Sequence, residues 1–382
     1  MTSKLACLCD YAKGKIAVET LTAHTYISTE NMMPSKGGVV DASSLPSVSF
    51  TQQYIKGDVL VSNIRPYFKK IWQAEYDGGC SNDVLVFRAK KGCVPTFLYY
   101  VLANDVFFNY ATATSKGTKM PRGDKKAIMQ YDVPDFDLNT QNRIAKLLRS
   151  LDAQIETNGK INDNLEQQAQ SYFQELFVDN ADPEWTTGTI SDLGTVVGGS
   201  TPSKAKPEYY TESGIAWITP KDLSNNKSKF VSHGENDITE LGLRNSSASI
   251  MPEGTVLFSS RAPIGYIAIA AGEVTTNQGF KSVVPKPEIG TPFVYFFLKN
   301  TLPVIEGMAS GSTFKEVSGS TMKNVPAVIP DAETLAKFSD FCAPIFAQQR
   351  ILEEQNQSLA TLRDNLLPKL MSGEIDVSAV QL

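Results

Sequence analysis

Lysine and arginine recur in this chain inside segments of glycine, serine, threonine and asparagine. Ser115-Lys116-Gly117-Thr118-Lys119-Met120-Pro121-Arg122-Gly123-Asp124-Lys125-Lys126 is the longest such run, and Arg65-Pro66-Tyr67-Phe68-Lys69-Lys70 is a second. Gly198-Gly199-Ser200-Thr201-Pro202-Ser203-Lys204, Thr219-Pro220-Lys221 and Ser259-Ser260-Arg261 return to the same composition later in the sequence. A cation among small hydroxyl and amide side chains suits phosphate oxygens, and Asn, Gln and Arg carry the donors and acceptors that meet base edges. For any single segment, a solvated loop is the alternative.

Other chemistry is poorly supplied. His24 and His233 are the only histidines, and neither has a carboxylate beside it at a catalytic spacing. The five cysteines, Cys7, Cys9, Cys80, Cys93 and Cys342, are odd in number and lack C-x-x-C spacing, which argues against a disulfide framework and against a zinc cage. No Pro-Pro pair occurs, so the Asn/Asp-Pro-Pro-aromatic motif of amino-methyltransferases is missing. No G-x-G and no G-x-x-x-x-G-K-[ST] occurs to cradle a nucleotide. The expectation is a chain that catalyses nothing by itself and binds no metal or cofactor.

The elements that position the basic segments are repeated. With 382 residues, 42% hydrophobic and 20% charged, the chain is long enough for two or three domains. Tyr54-Ile55-Lys56-Gly57-Asp58-Val59-Leu60-Val61-Ser62 is echoed by Met251-Pro252-Glu253-Gly254-Thr255-Val256-Leu257-Phe258-Ser259, and Pro66 is answered by Pro263. Phe97-Leu98-Tyr99-Tyr100 is answered by Phe293-Val294-Tyr295-Phe296, Tyr26-Ile27 by Trp217-Ile218, and Val133-Pro134 by Val325-Pro326. Echoes in one order at a period near half the chain mean two related halves. The longest apolar stretch, Ala262 to Ala271, is broken by Pro263, Gly265 and Tyr266, short of the roughly 18 residues of a membrane span. The N-terminus shows no export signal, so a cytoplasmic protein without membrane contact is expected.

Each half closes on a polar segment whose apolar residues follow a 3-4 spacing. The first runs through Ile144, Leu148, Leu151, Ile155, Asn158, Asn162, Leu165, Ala169, Tyr172 and Leu176, and the second through Phe338, Cys342, Ile345, Gln349, Leu352, Asn356, Leu359, Arg363, Leu366 and Leu370. About four heptads in each copy predict two long helices that bury each other's stripe, with Leu148, Leu151, Ile155, Leu165, Ile345, Leu352, Leu359 and Leu366 in the seam. Pro344 should restrict or kink the start of the second. The acidity sits here. Residues 139–182 and 331–376 carry four Lys and Arg against seven and eight Asp and Glu, whereas residues 1–138 carry 16 against 13 and residues 183–330 carry 12 against 13. A whole-chain charge of -5 therefore does not speak against nucleic acid.

These residues resemble the specificity (S) subunit of type I restriction-modification systems over essentially the whole chain. Leu366-Leu367-Pro368-Lys369-Leu370-Met371-Ser372-Gly373-Glu374-Ile375 is similar to that family's closing tail. Thr201-Pro202-Ser203-Lys204, Ala216-Trp217-Ile218-Thr219-Pro220-Lys221-Asp222-Leu223 and Thr275-Thr276-Asn277-Gln278-Gly279 resemble one of its target-recognition domains. Thr29-Glu30-Asn31-Met32 through Lys36-Gly37-Gly38, Gly57 through Asn63-Ile64-Arg65-Pro66, and Lys116 through Gly123 resemble another. The first copy of the closing motif is degenerate, with Phe173-Gln174-Glu175-Leu176-Phe177 where Leu367-Pro368-Lys369-Leu370-Met371 stands in the second. Any contact that the motif makes with a partner is then unequal between the halves.

The resemblance implies an α+β protein with a pseudo-twofold internal repeat: target-recognition domains at 1–138 and 183–330, separated by a spacer helix at 139–182 and by a second spacer helix with the C-terminal tail at 331–382, the two helices forming an antiparallel coiled coil. It implies double-stranded DNA as a partner, each domain reading half of a split site. It further implies methyltransferase (M) subunits docked on the helices, two of them, carrying S-adenosylmethionine, with restriction (R) motor subunits left open. DNA contacts are expected from Lys36, Asn63, Arg65, Tyr67, Lys69, Lys116, Lys119, Arg122 and Lys125 in the first domain. In the second they are expected from Ser200, Thr201, Lys204, Thr219, Lys221, Arg261, Asn277 and Gln278. The rivals are a cytoplasmic coiled-coil adaptor whose globules bind protein and the recognition region of a larger enzyme.

Overall fold

Val59-Leu60-Val61 and Val84-Leu85-Val86-Phe87 alternate their side chains between two hydrophobic layers, as β-strands require. A computed structural model describes residues 2–311 and 315–377. It divides into two units: residues up to Glu156 together with those from Gln357 onward, and Thr157–Asn356. The last five residues of the segment 331–382 lie outside the described residues.

In the first unit an antiparallel sheet runs in the order Cys9–Tyr11, Val84–Ala89, Val59–Ser62, Ile71–Gln73. Val59, Val61, Leu85 and Phe87 face helices Pro95–Ala103 and Asp105–Ala113, packing on Phe97, Leu98 and Phe107. Leu60, Val84 and Val86 face the other way, toward Ile27, Tyr54 and Cys80 of a second sheet. That sheet is ordered Lys15–Ala17, Phe50–Tyr54, Gly78–Cys80, Tyr26–Ile27, its last pair parallel. The second unit repeats the first sheet strand for strand as Gly194–Gly198, Lys281–Pro285, Val256–Ser260, Ile264–Ala270, with Phe230–Val231 added at the edge. Val256 and Phe258 face one core and Leu257 the other. The parallel pair recurs too, Trp217 opposite Thr275 as Tyr26 is opposite Gly79. The halves differ in which of these two strands takes the next neighbour. Phe50–Tyr54 pairs with Gly78–Cys80 in the first unit, whereas Asn236–Ile238 pairs with Ile215–Ile218 in the second.

Two long helices, Leu138–Gln174 and Ala332–Ser372, contribute to both units. In the first unit Ile144 and Leu148 share a core with Leu367, Leu370 and Val377. Asp152 accepts from Tyr100 Oη at 2.5 Å and from Arg363 Nη1 at 2.8 Å. In the second unit Ala169 and Phe173 pack with Leu335, Phe338, Cys342 and Ile345. The segments run antiparallel, since 152 meets 363, and 158 meets 356 while 162 meets 349. Of the eight seam leucines and isoleucines, Leu148, Ile345 and Leu352 are buried, and Leu151, Ile155, Leu165, Leu359 and Leu366 are half-buried. Polar groups occupy part of the seam instead. Asn158 is 1% exposed and donates to Asn356 Oδ1 at 2.9 Å, and Gln349 is 3% exposed. Pro344, expected to restrict or kink the start of the second helix, lies exposed within Ala332–Ser372. A proline removes one N–H from the helical ladder, and on an exposed face water can satisfy the carbonyl left over.

Candidate nucleic-acid interface

In the second unit the sequence-predicted residues converge. Thr201, Lys204, Thr219, Lys221, Arg261, Asn277 and Gln278 line one cleft of about 470 Å³. Ser200 supports its wall, accepting from Trp217 Nε1 at 2.9 Å while its own N–H donates to Thr276 O at 2.9 Å. The wall requires a glycine at its turn, because a Cβ on Gly199 would lie 2.0 Å from Asn277 O. Thr219 caps the helix Pro220–Asn225 through a reciprocal box with Asp222, which fixes Lys221 at the first turn. Asn277 Oδ1 accepts from Gly279 N–H at 2.8 Å, and Thr201 bonds Gln278. Lys204 has no acidic partner among the described residues. Lys221 is paired with Glu235 at 2.5 Å, which holds its ammonium above its ordinary pKa, and Arg261 with Glu316 at 3.3 Å.

In the first unit three loops are laced together by backbone hydrogen bonds. Ser35 and Lys36 N–H donate to Phe68 O and Lys69 O at 2.8 Å, and Arg65 N–H to Pro121 O at 2.8 Å. Gly123 N–H donates to Asn63 O at 3.1 Å, and Lys116 and Arg122 exchange backbone bonds at 2.8 and 2.9 Å. Lys36, Arg65, Tyr67, Lys69, Lys116, Lys119 and Arg122 therefore belong to one knitted loop cluster. Lys125 lies beyond it, on the short helix Lys125–Ile128, 6.0 Å from the Tyr11 ring. Asn63 departs from the expectation of a DNA-facing amide. It is 8% exposed, because its backbone joins Asp83 and Gly123 and draws the side chain inward, and its Oδ1 has no partner.

Carboxylates that the sequence reading missed hold most of these cations. Asp105 binds Lys36 Nζ at 2.9 Å and Lys69 Nζ at 2.8 Å, and the two ammonium groups outweigh its partial burial to keep its carboxyl below the ordinary value. Asp83 binds Arg122 at 3.0 Å, and Asp124 binds Lys116 at 2.5 Å and is held down to about 2, chiefly by that hydrogen bond. Lys281, also missed, is largely buried beside Glu316, and its burial lowers its pKa. A larger cleft of about 1140 Å³ in the first unit is lined by Lys36, Gly37 and Gly38 of the loop cluster together with Trp72, Tyr99, Arg149 and Arg363.

A family model described as the type I restriction modification DNA specificity domain matches residues 10–167 and again residues 183–362. The chain belongs to this family. It is 39% identical over 191 residues to the MjaIX specificity subunit of Methanocaldococcus jannaschii, a match spanning 48% of this chain and 44% of that one. It is 24% identical over 403 residues to the HindI specificity subunit of Haemophilus influenzae, spanning 84% and 87%. A crystal structure of a type I restriction-modification S subunit from M. genitalium shares the fold at a TM-score of 0.61, with 18% identity over 97% of this chain and 96% of that one. Among the described residues no helix is long and apolar enough to cross a membrane.

Proposed function

We propose that this specificity-family chain is the DNA-reading subunit of a type I restriction-modification complex, each globule recognising one half of a bipartite site. The observation that supports this best is that each matched half carries its own set of cations on ordered loops: the knitted cluster around Arg65 and Arg122, and the cleft around Lys221 and Arg261, where Asn277 and Gln278 join them. Phosphate contacts from lysines supply affinity, and base edges are read by arginine and amide groups. The long helices act as an antiparallel coiled-coil spacer between pseudo-twofold halves and dock two methyltransferase subunits. Methyl transfer and S-adenosylmethionine belong to those partners, this chain contributes recognition without catalysis, and the assembly works in the cytoplasm.

The test is binding of the chain, assembled with its methyltransferase partner, to random and to cognate duplex at several salt concentrations. Lys119→Ala and Lys204→Ala, which remove cations without acidic partners among the described residues, should each weaken binding to every sequence and reduce the salt slope by about one. Arg261→Ala should instead relax one position of the cognate site by about 1–3 kcal/mol. A protein-binding adaptor would show no salt-dependent DNA affinity in any of these forms.

A further inference from the structure

The two repeats part company at one turn. In the second unit the chain leaves Val256–Ser260 and returns to the sheet at Ile264–Ala270 through residues 261–263 alone. In the first, residues 63–70 intervene between Val59–Ser62 and Ile71–Gln73. Both turns open alike, with a left-handed residue before a proline: Arg65 at φ +49° before Pro66, and Ala262 at φ +52° before Pro263. What the first unit adds is Tyr67-Phe68-Lys69-Lys70.

Tyr67 is 48% exposed and Phe68 41%, their ring centroids 4.7 Å apart. Two large aromatic rings side by side in water are unfavourable for the free protein and point to a partner with flat apolar faces. The loop that carries them is already ordered. Buried Pro66 anchors it, Phe68 N–H donates to Arg65 O at 3.0 Å, and Phe68 O and Lys69 O accept from the neighbouring 35–36 loop. Lys69 is itself left-handed at φ +52°, a conformation a lysine holds only when its surroundings enforce it. Lysines adjoin the rings in the chain and across the loop contact: Lys69 and Lys36 meet on Asp105, and Lys70 donates to Thr29 O at 2.6 Å. Rigid rings bordered by lysines match a stacked base step bordered by phosphates.

We propose that Tyr67 and Phe68 form a wedge that stacks on and partly opens one base step in the half-site read by the first unit, while Lys69 exchanges Asp105 for the adjoining phosphate. The second unit, lacking the insertion, reads its half-site without such deformation. The step opened should be a flexible pyrimidine–purine step, where unstacking is cheapest. The inference rests on the DNA-reading function proposed above.

The experiment uses the full chain assembled with its methyltransferase partner and a duplex whose site has been mapped by methylation. 2-Aminopurine replaces each purine of both half-sites in turn, except the adenine that becomes methylated. Binding of the wild-type complex should raise fluorescence several-fold at one step of the first half-site and at none of the second. Tyr67→Ala and Phe68→Ala should abolish that rise and weaken binding about tenfold, Phe68→Trp should keep it, and an abasic nucleotide at the step should restore binding of the alanine variants. Both side chains are exposed, so urea unfolding midpoints should be unchanged. Tight, salt-dependent binding without a fluorescence change in the first half-site, or a rise that survives both alanine variants, would overturn the wedge. Absence of salt-dependent binding by the wild-type complex would overturn the DNA-reading function, and the wedge with it.

Discussion

Glu166→Leu should destabilise the second unit by about 3–5 kcal/mol, more than any surface substitution in it. Glu166 lies on the first long helix, where its carboxylate accepts from Lys229 Nζ at 2.8 Å, Lys299 Nζ at 2.5 Å and Tyr295 Oη at 3.1 Å. Lys229 is 7% exposed, and its ammonium sits 3.5 Å from the centre of the Phe346 ring and 4.4 Å from that of Tyr295. Removing the carboxylate leaves that ammonium with the rings and with Gln349 Oε1 at 2.9 Å, neutral partners that offset only part of its desolvation. Lys299 is one-third exposed and can turn to water, so the penalty comes from Lys229. Glu166→Leu combined with Lys229→Met should recover most of the loss, because an apolar pair of similar volume needs no desolvation.

The same pair sets an acid limit. Burial alone would raise the Glu166 carboxyl, but Lys229 and Lys299 outweigh it and hold it at about 2 against an ordinary 4.5. The unfolded chain therefore binds the proton first, and stability rises with pH across that interval. The contribution is complete above about pH 5, disappears as pH falls toward about 2, and amounts to roughly 3 kcal/mol. Urea midpoints of wild type and Glu166→Leu measured from pH 2 to pH 7 should converge at the acid end. Curves that stay parallel would show that the carboxylate is not what steadies Lys229.

A chain stopped at residue 356 should keep a folded second unit and lose the first. The second unit is one uninterrupted stretch, Thr157–Asn356, containing both helix segments that close its core, including Phe173 and Phe338. The first unit needs Leu367, Leu370 and Val377 from the far end of the chain. Losing two fully buried leucines alone costs about 2–5 kcal/mol each, comparable to the whole stability of a domain. Amide hydrogen exchange on the truncated chain should show protection confined to residues 157–356. Protection retained through residues 59–103 would mean that the closing segment adds nothing to the first core, and collapse of both units would mean that they fold only together.

The repeat and the helices were legible in the sequence because periodicity records burial. Val256-Leu257-Phe258 echoes Val59-Leu60-Val61, and each strand alternates between the same two layers. The swapped neighbour of the parallel pair was not legible, since short strands such as Asn236–Ile238 carry no mark of which edge they will join. The cleft in the second unit was legible as composition, and seven predicted residues line it. Its counter-charges were hidden, because a pair such as Arg261 and Glu316, 55 residues apart, meets only after folding. Lys229 was least visible. It stands in Asn225-Asn226-Lys227-Ser228-Lys229, a run that reads as a solvated loop, yet Glu353 accepts the backbone N–H groups of Lys229 and Phe230 at 2.7 and 3.0 Å and draws the lysine into the core.

The claim that one globule reads one half-site is tested most directly by mapping DNA methylation in cells that hold the partner methyltransferase and either the wild-type chain or Arg261→Ala. The account predicts that wild type marks a site of two short defined sequences divided by an unspecified gap, and that Arg261→Ala relaxes positions within one of the two sequences and leaves the other unchanged. A site without a gap, or relaxation spread across both parts, would contradict it.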